Sequence, residues 1–298
     1  MIPSLLLLTA LAVGPSAGPA AGPSAGPAAA PVADPARVPW TELRYEASKL
    51  LLTARADVEL SRAPLPSSDG RRPEGPTPVV LRLGSSVLSK NTVSTLWLDP
   101  EDGRTYLQER RERGRSDEAR TYRYDGAGAT VTTREPGDDA QANADPSTWT
   151  GRSEEERRDF GPRPEGYGVT VPGALLYLAA ALPLDAPGDE ATFLVYSRQR
   201  LMLAKLRAEE WVDLDLRFAE ETPAGRNLRQ GPLRTLRLSV AANTLDGAAT
   251  DLKLFGLEGD IGFFLDPQRR MPVRISGKMP IVGSINIELK EVVLNSAR

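Results

Sequence analysis

The sequence predicts a mainly β protein: an antiparallel curved sheet, a barrel or half-barrel, with one apolar helix at about 172–183 packed against it. Three observations carry this expectation. Many segments alternate apolar and polar residues with a period of two, as strands with one wet face do. Short Asp, Pro and Gly clusters of turn-forming composition separate them. One segment alone is apolar nearly all round, so it needs a concave surface to cover it.

Taken in order, Leu43, Tyr45 and Ala47 alternate with charged residues, and Ala54, Ala56, Val58 and Leu60 do so with opposite parity. A shift of one position flips a strand's faces, which predicts a bulge or bend near 48–52. Clean alternation returns at Val212–Phe218, Leu236–Val240 and Ile285–Leu289. Weaker strands are expected at 79–84, 91–98, 104–111, 119–124, 129–134, 191–198, 201–208, 250–255, 261–265 and 271–276. Asp99-Pro100-Glu101-Asp102-Gly103 and Asp266-Pro267-Gln268-Arg269-Arg270 read as turns opened by a capping Asp rather than as catalytic carboxylates. Pro172 and Pro183 bracket the helix. A sheet of such strands curls around one apolar interior, as barrel, half-barrel or sandwich. A sheet wrapped around the helix is preferred.

The organisation along the chain is read as follows. Residues 1–33 carry no charged side chain, and Leu5–Val13 is an apolar run too short to span a bilayer. Residues 1–14 match the core of a secretory signal, although Met1–Ser4 has no Lys or Arg. Residues 15–39 read as a Pro/Ala/Gly-rich tether, and an eight-residue duplication, Gly14–Ala21 and Gly22–Ala29, spans its start. Residues 40–298 read as a single β-rich domain. Within it, 136–166 lacks periodicity and reads as a mobile loop, with Glu154–Arg158 as a solvated charge run.

The chain has 298 residues, no His and no Cys. That excludes imidazole bases, thiolate nucleophiles, disulfides, and His or Cys zinc sites. It also disposes of Gly14–Gly18 and Gly22–Gly26, two G-x-S-x-G matches with neither a His partner nor a strand-to-helix turn. The balance of 37 Lys and Arg against 40 Asp and Glu offers no basic excess for nucleic acid. Gly126-Ala127-Gly128 is a hairpin turn rather than a dinucleotide fingerprint. Ser276 and Lys278 share a strand face, the solvent one if Val273 and Ile275 point inward, which disfavours a Ser–Lys dyad. Asp138, Asp139 and Asp145 form only a weak calcium pattern. Trp40, Trp97, Trp149 and Trp211 could stack sugars, with core packing the better expectation for Trp97 and Trp211. No catalytic, metal, cofactor or individual ligand-binding residue is therefore assigned.

The stretch Ile261–Ile275, with Phe263-Phe264-Leu265-Asp266-Pro267 and Arg269-Arg270-Met271-Pro272-Val273-Arg274-Ile275, is followed by Ile281–Leu289. It resembles the end of the domain-of-unknown-function family 3108 of exported bacterial envelope proteins. Arg120–Asp125 and Leu175–Leu184 resemble that family's Arg/Tyr-Asp strand and mid-domain helix. Val169–Gly173 and Ala181 stand where the family carries an Asp-x-x-Ser lead-in and an Arg. The resemblance implies an exported β-rich domain and assigns no activity.

Together these observations predict a non-catalytic exported β-domain, periplasmic or associated with the cell envelope, without a transmembrane span in the mature chain. Its expected partner is a lipid or another apolar envelope component. The alternatives are a structural or interaction protein with a filled core and an exposed sheet edge, and, ranked last, a two-carboxylate hydrolase.

Overall fold

A computed structural model describes residues 32–49, 52–66, 75–87, 89–114, 117–280 and 282–295. Among them, sixteen strands form one curved sheet. They are β1 (Trp40–Lys49), β2 (Leu52–Arg62), β3 (Val79–Val87), β4 (Lys90–Leu98), β5 (Thr105–Arg113), β6 (Glu118–Tyr124), β7 (Gly128–Arg134), β8 (Ser153–Asp159), β9 (Val169–Thr170), β10 (Glu190–Ser197), β11 (Arg200–Thr222), β12 (Gly225–Thr244), β13 (Lys253–Leu254), β14 (Leu257–Asp266), β15 (Met271–Met279) and β16 (Gly283–Leu294). The helix α1 spans Leu175–Ala181, entered through a 3-10 turn at Pro172–Ala174.

Strands β1 to β8 follow one another as an antiparallel meander, and β1 then pairs with β16. Beyond it lie β15, β14, β12 and β11. β16 also pairs in parallel with β11, Ala219–Glu221 against Glu291–Val293. Hydrogen bonding therefore runs in a ring through β11, β12, β14, β15 and β16, with the meander extending from it as an arm.

Every residue of α1 is buried, as its lack of a polar face requires. Gly173 lets the entry turn lie close to Leu83 and Leu96, for a Cβ there would stand 2.4 Å from Leu83 Cδ1. Tyr177 donates to the Pro100 carbonyl at 2.6 Å. The last carbonyls of the helix meet Arg270, which is buried. Its guanidinium donates to the carbonyl oxygens of Ala179, Ala180, Leu182 and Leu184, and to Asp185. Carbonyls that would otherwise lack partners are thus satisfied. Burial, with Arg37 adding to it, draws the Arg270 pKa down to about 10, against the pull of Asp185.

Several expectations need correction. The parity change near 48–52 is a hairpin, not a bulge: Lys49 pairs with Leu52, and Ala47 with Ala54. Antiparallel partners whose numbers sum to an odd value carry opposite parity on one face. Residues 136–166 are not one loop. Ser153–Asp159 is β8, paired with β7, and 3-10 turns lie at Gln141–Asn143 and Pro146–Thr148. The expected strand at 250–255 shrinks to the two residues of β13. The expected tether 15–39 ends earlier. Ala33 and Val38 are buried, Ala33 N–H donates to the Glu101 carbonyl, and Asp34 N–H donates to that of Ala181. Residues 1–31, which hold the expected signal core, the duplication and both G-x-S-x-G matches, lie outside the described residues.

Candidate ligand-binding cleft

The residues singled out from sequence serve the fold. Asp99 Oδ1 accepts the N–H groups of Glu101 and Asp102, and Oδ2 accepts the Tyr106 hydroxyl at 2.6 Å. Burial alone would raise the Asp99 pKa, but these donors and Arg104 outweigh it and hold the carboxyl below its usual range. Asp266 Oδ1 caps its own turn in the same way, on the N–H groups of Gln268 and Arg269. Lys278 pairs with Asp260, not with Ser276, and that pairing raises its pKa, the opposite of what a base in a Ser–Lys dyad needs. Asp138 accepts the Gln141 N–H, Asp145 caps the Pro146–Thr148 turn, and no acidic cluster fit for a metal occurs among the described residues.

The tryptophans are structural as well. Trp40 is fully buried and donates to the Arg270 carbonyl. Trp211 is half-buried under the Arg234 guanidinium. Trp97 is buried, as expected, but outside the main core. With Leu107, Ala142 and Trp149 it lies apart from the large apolar cluster. Arg111 stacks over the Trp149 ring and donates to the Ala142 and Ala144 carbonyls, so segment 137–150 is fastened to the outer face of β5.

What the fold leaves open is a cleft of about 740 Å³ between the inner face of β3–β6 and two opposing hairpin turns. That volume falls in the range of small-ligand sites, about 300–1,000 Å³. Strand register sorts the inner face into rows. Leu81, Leu96, Gln108 and Tyr122 lie side by side nearest the helix. The next row is Leu83, Ser94, Arg110 and Arg120, and the one after is Ser85, Thr92, Glu112 and Glu118. Rows stand about 7 Å apart, two residues along a strand. Along β4, burial falls in step: Leu96 and Ser94 are buried, Thr92 is half-buried and Lys90 is exposed. The cleft thus has an apolar floor and a charged mouth.

The floor is aromatic. Tyr122 stacks on Tyr124, and Tyr124 meets Tyr196 edge-on with centroids 6.2 Å apart. Burial raises the pKa of both Tyr124 and Tyr196, so they stay neutral. Tyr124 donates to Gln108 Oε1, and Gln108 Nε2 donates to Ser94 Oγ, which fixes the polar groups of three strands. At the mouth, burial alone would raise the Glu112 pKa, but Lys90, Arg110 and Arg120 hold it below the usual range.

The opposing wall is strained. Five non-glycine residues among those described have left-handed backbone, and three of them, Arg198, Gln199 and Phe255, line the cleft. Arg198 and Gln199 form the two-residue turn between β10 and β11, where Asn or Gly is the unstrained choice. Strain of this kind concentrates at binding sites.

No family model, no curated protein and no solved structure matches this chain. The cleft must be interpreted from its own chemistry. Sequence reasoning missed it because β5 is polar on both faces: Gln108, Arg110 and Glu112 on one, Glu109 and Arg111 on the other. That double polarity was the available signal. A strand wet on both sides has either a covering segment or a solvent-filled cleft to answer for it. β5 has both.

Proposed function

We propose that this protein is a non-catalytic exported binding module whose cleft takes the apolar chain of a lipid or another apolar envelope component. The observation that carries this is the open cleft with its aromatic floor beside a fully packed helix. The core is already filled by α1, so the cleft is not space that folding needed to leave. Export is supported by the Leu5–Val13 run and by the resemblance to family 3108. Among the described residues no helix is long and apolar enough to cross a membrane.

The sheet edges weigh against the interaction-protein alternative. β8 consists of charged residues after Ser153, and β9 has two residues, so neither offers a long apolar edge for strand addition. Against the hydrolase, the only acid lining the cleft among the described residues is Glu112, and its lowered pKa suits an ion pair rather than a general acid.

A neutral solvatochromic dye, Nile red, tests the proposal. Its fluorescence is expected to rise and shift to the blue with the protein, and to do neither with Thr92→Trp, which fills the cleft. Equal enhancement by a folded Thr92→Trp variant, or none by the wild type, would overturn the proposal.

A further inference from the structure

The rung formed by Arg110 and Arg120 sets like charge against like charge. The two are direct cross-strand partners on the inner face, and so are Glu112 and Glu118 in the next row. Like charges directly opposite one another destabilise a sheet. Exchanging positions 118 and 120 would give two Arg–Glu rungs from the same residues. Instead each arginine is neutralised within its own strand, Arg110 by Glu112 and Arg120 by Glu118. The result sets two arginines in register on the cleft wall, next to Ser94 in the row, with their guanidiniums reaching toward the Glu112 and Glu118 row. Arg120 Nε–H is buried there with no hydrogen-bond partner.

The rest of the mouth has the same sign. The cleft is lined by Lys90, Arg110, Arg120, Arg158, Arg198 and Lys253. Their partners are Glu112, Glu118, Glu156 and Glu258. Among the described residues, six cations against four carboxylates leave an excess of two positive charges, on a chain whose net charge is −3. A cleft of one sign on a protein of the other selects its guest by charge. Paired guanidiniums bind carboxylate and phosphate oxygens through parallel N–H donors.

We infer, on the footing that the cleft takes a guest at all, that the guest is an amphiphile with an anionic carboxylate or phosphate head. The head lies between Arg110 and Arg120 beside Ser94, and the chain runs over Tyr122 toward Pro172 and Gly173. The unfavourable Arg110–Arg120 rung is kept because the head relieves it. Sites that bind tolerate arrangements that folding alone would reject.

Calorimetric titration of the full chain with laurate, dodecyl phosphate, 1-dodecanol and inorganic phosphate separates the possibilities. The two anionic amphiphiles are expected to bind at least tenfold tighter than dodecanol, and phosphate alone far more weakly than dodecyl phosphate. Arg120→Gln is expected to abolish the preference for anionic heads in a variant that stays folded. Arg120→Lys is expected to retain part of the preference. Equal affinity for all three amphiphiles would overturn the anionic head while leaving the cleft as a binding site. No binding of any amphiphile would overturn both. Phosphate binding as tightly as dodecyl phosphate would make this a site for free anions. A large loss of stability in both Arg120 variants would assign the rung to folding and overturn the inference.

Discussion

The Arg270 guanidinium donates to the Leu182 carbonyl oxygen at 2.6 Å, joining a turn to the end of the helix across 88 positions of sequence. Four other acceptors share that side chain, three of them main-chain carbonyls near the end of α1. Truncating one side of a buried, charged network strands the other side. Arg270→Gln is therefore expected to cost about 3–5 kcal/mol, read as a lower urea midpoint with an unchanged slope. Arg270→Lys is expected to recover little, because one ammonium cannot reproduce the fork.

Gly103 has φ of +68°, and a Cβ there would stand 2.6 Å from Leu178 Cδ2. Gly103→Ala is expected to destabilise by about 2–4 kcal/mol, combining left-handed strain with overpacking. In the double variant with Leu178→Ala the loss is expected to be smaller than the sum, because the smaller side chain removes the clash. Strict additivity in chemical denaturation would show that Leu178 is not what the Cβ meets.

The outer cluster around Trp149 and the inner core around Leu178 have no buried member in common. Trp149→Ala and Leu178→Ala are each expected to cost about 3 kcal/mol and to add within about 0.5 kcal/mol. Hydrogen exchange would show faster opening of segment 137–150 in the first variant alone.

Asp125 accepts both Arg157 Nη atoms, and this pairing holds its pKa at about 2, against an ordinary 3.8. A lowered carboxylate pKa means that the ionised form stabilises the fold. The contribution is present above about pH 3.8 and is lost as pH falls through about 2. Asp125→Asn is expected to melt below the wild type near neutral pH, with the gap closing below about pH 2. A gap that persists there would assign the effect to the turn N–H groups of Ala127 and Gly128, not to the charge.

Alternation made most of the sheet legible, because strands with one wet face leave a period of two in the sequence. Val273 and Ile275 point inward as their spacing requires. Asp99 and Asp266 cap turns as their neighbours indicate. β8 escaped because Glu154 to Arg158 are charged on both faces; its place is set by main-chain pairing to β7, which side-chain pattern does not encode. The reach of Arg270 to the helix depends on tertiary proximity alone. The cleft was invisible for a related reason: nothing local says which polar face of β5 looks inward.

The pairing of Trp40 with Leu294 places the earliest and latest described strands side by side, 254 positions apart. β1 gains its second neighbour only when β16 has been made, so the sheet cannot be zipped up in the order of synthesis. Contacts this distant fold slowly. Sheet closure therefore waits on the final strand, and truncating that strand would leave the first one with a bare edge.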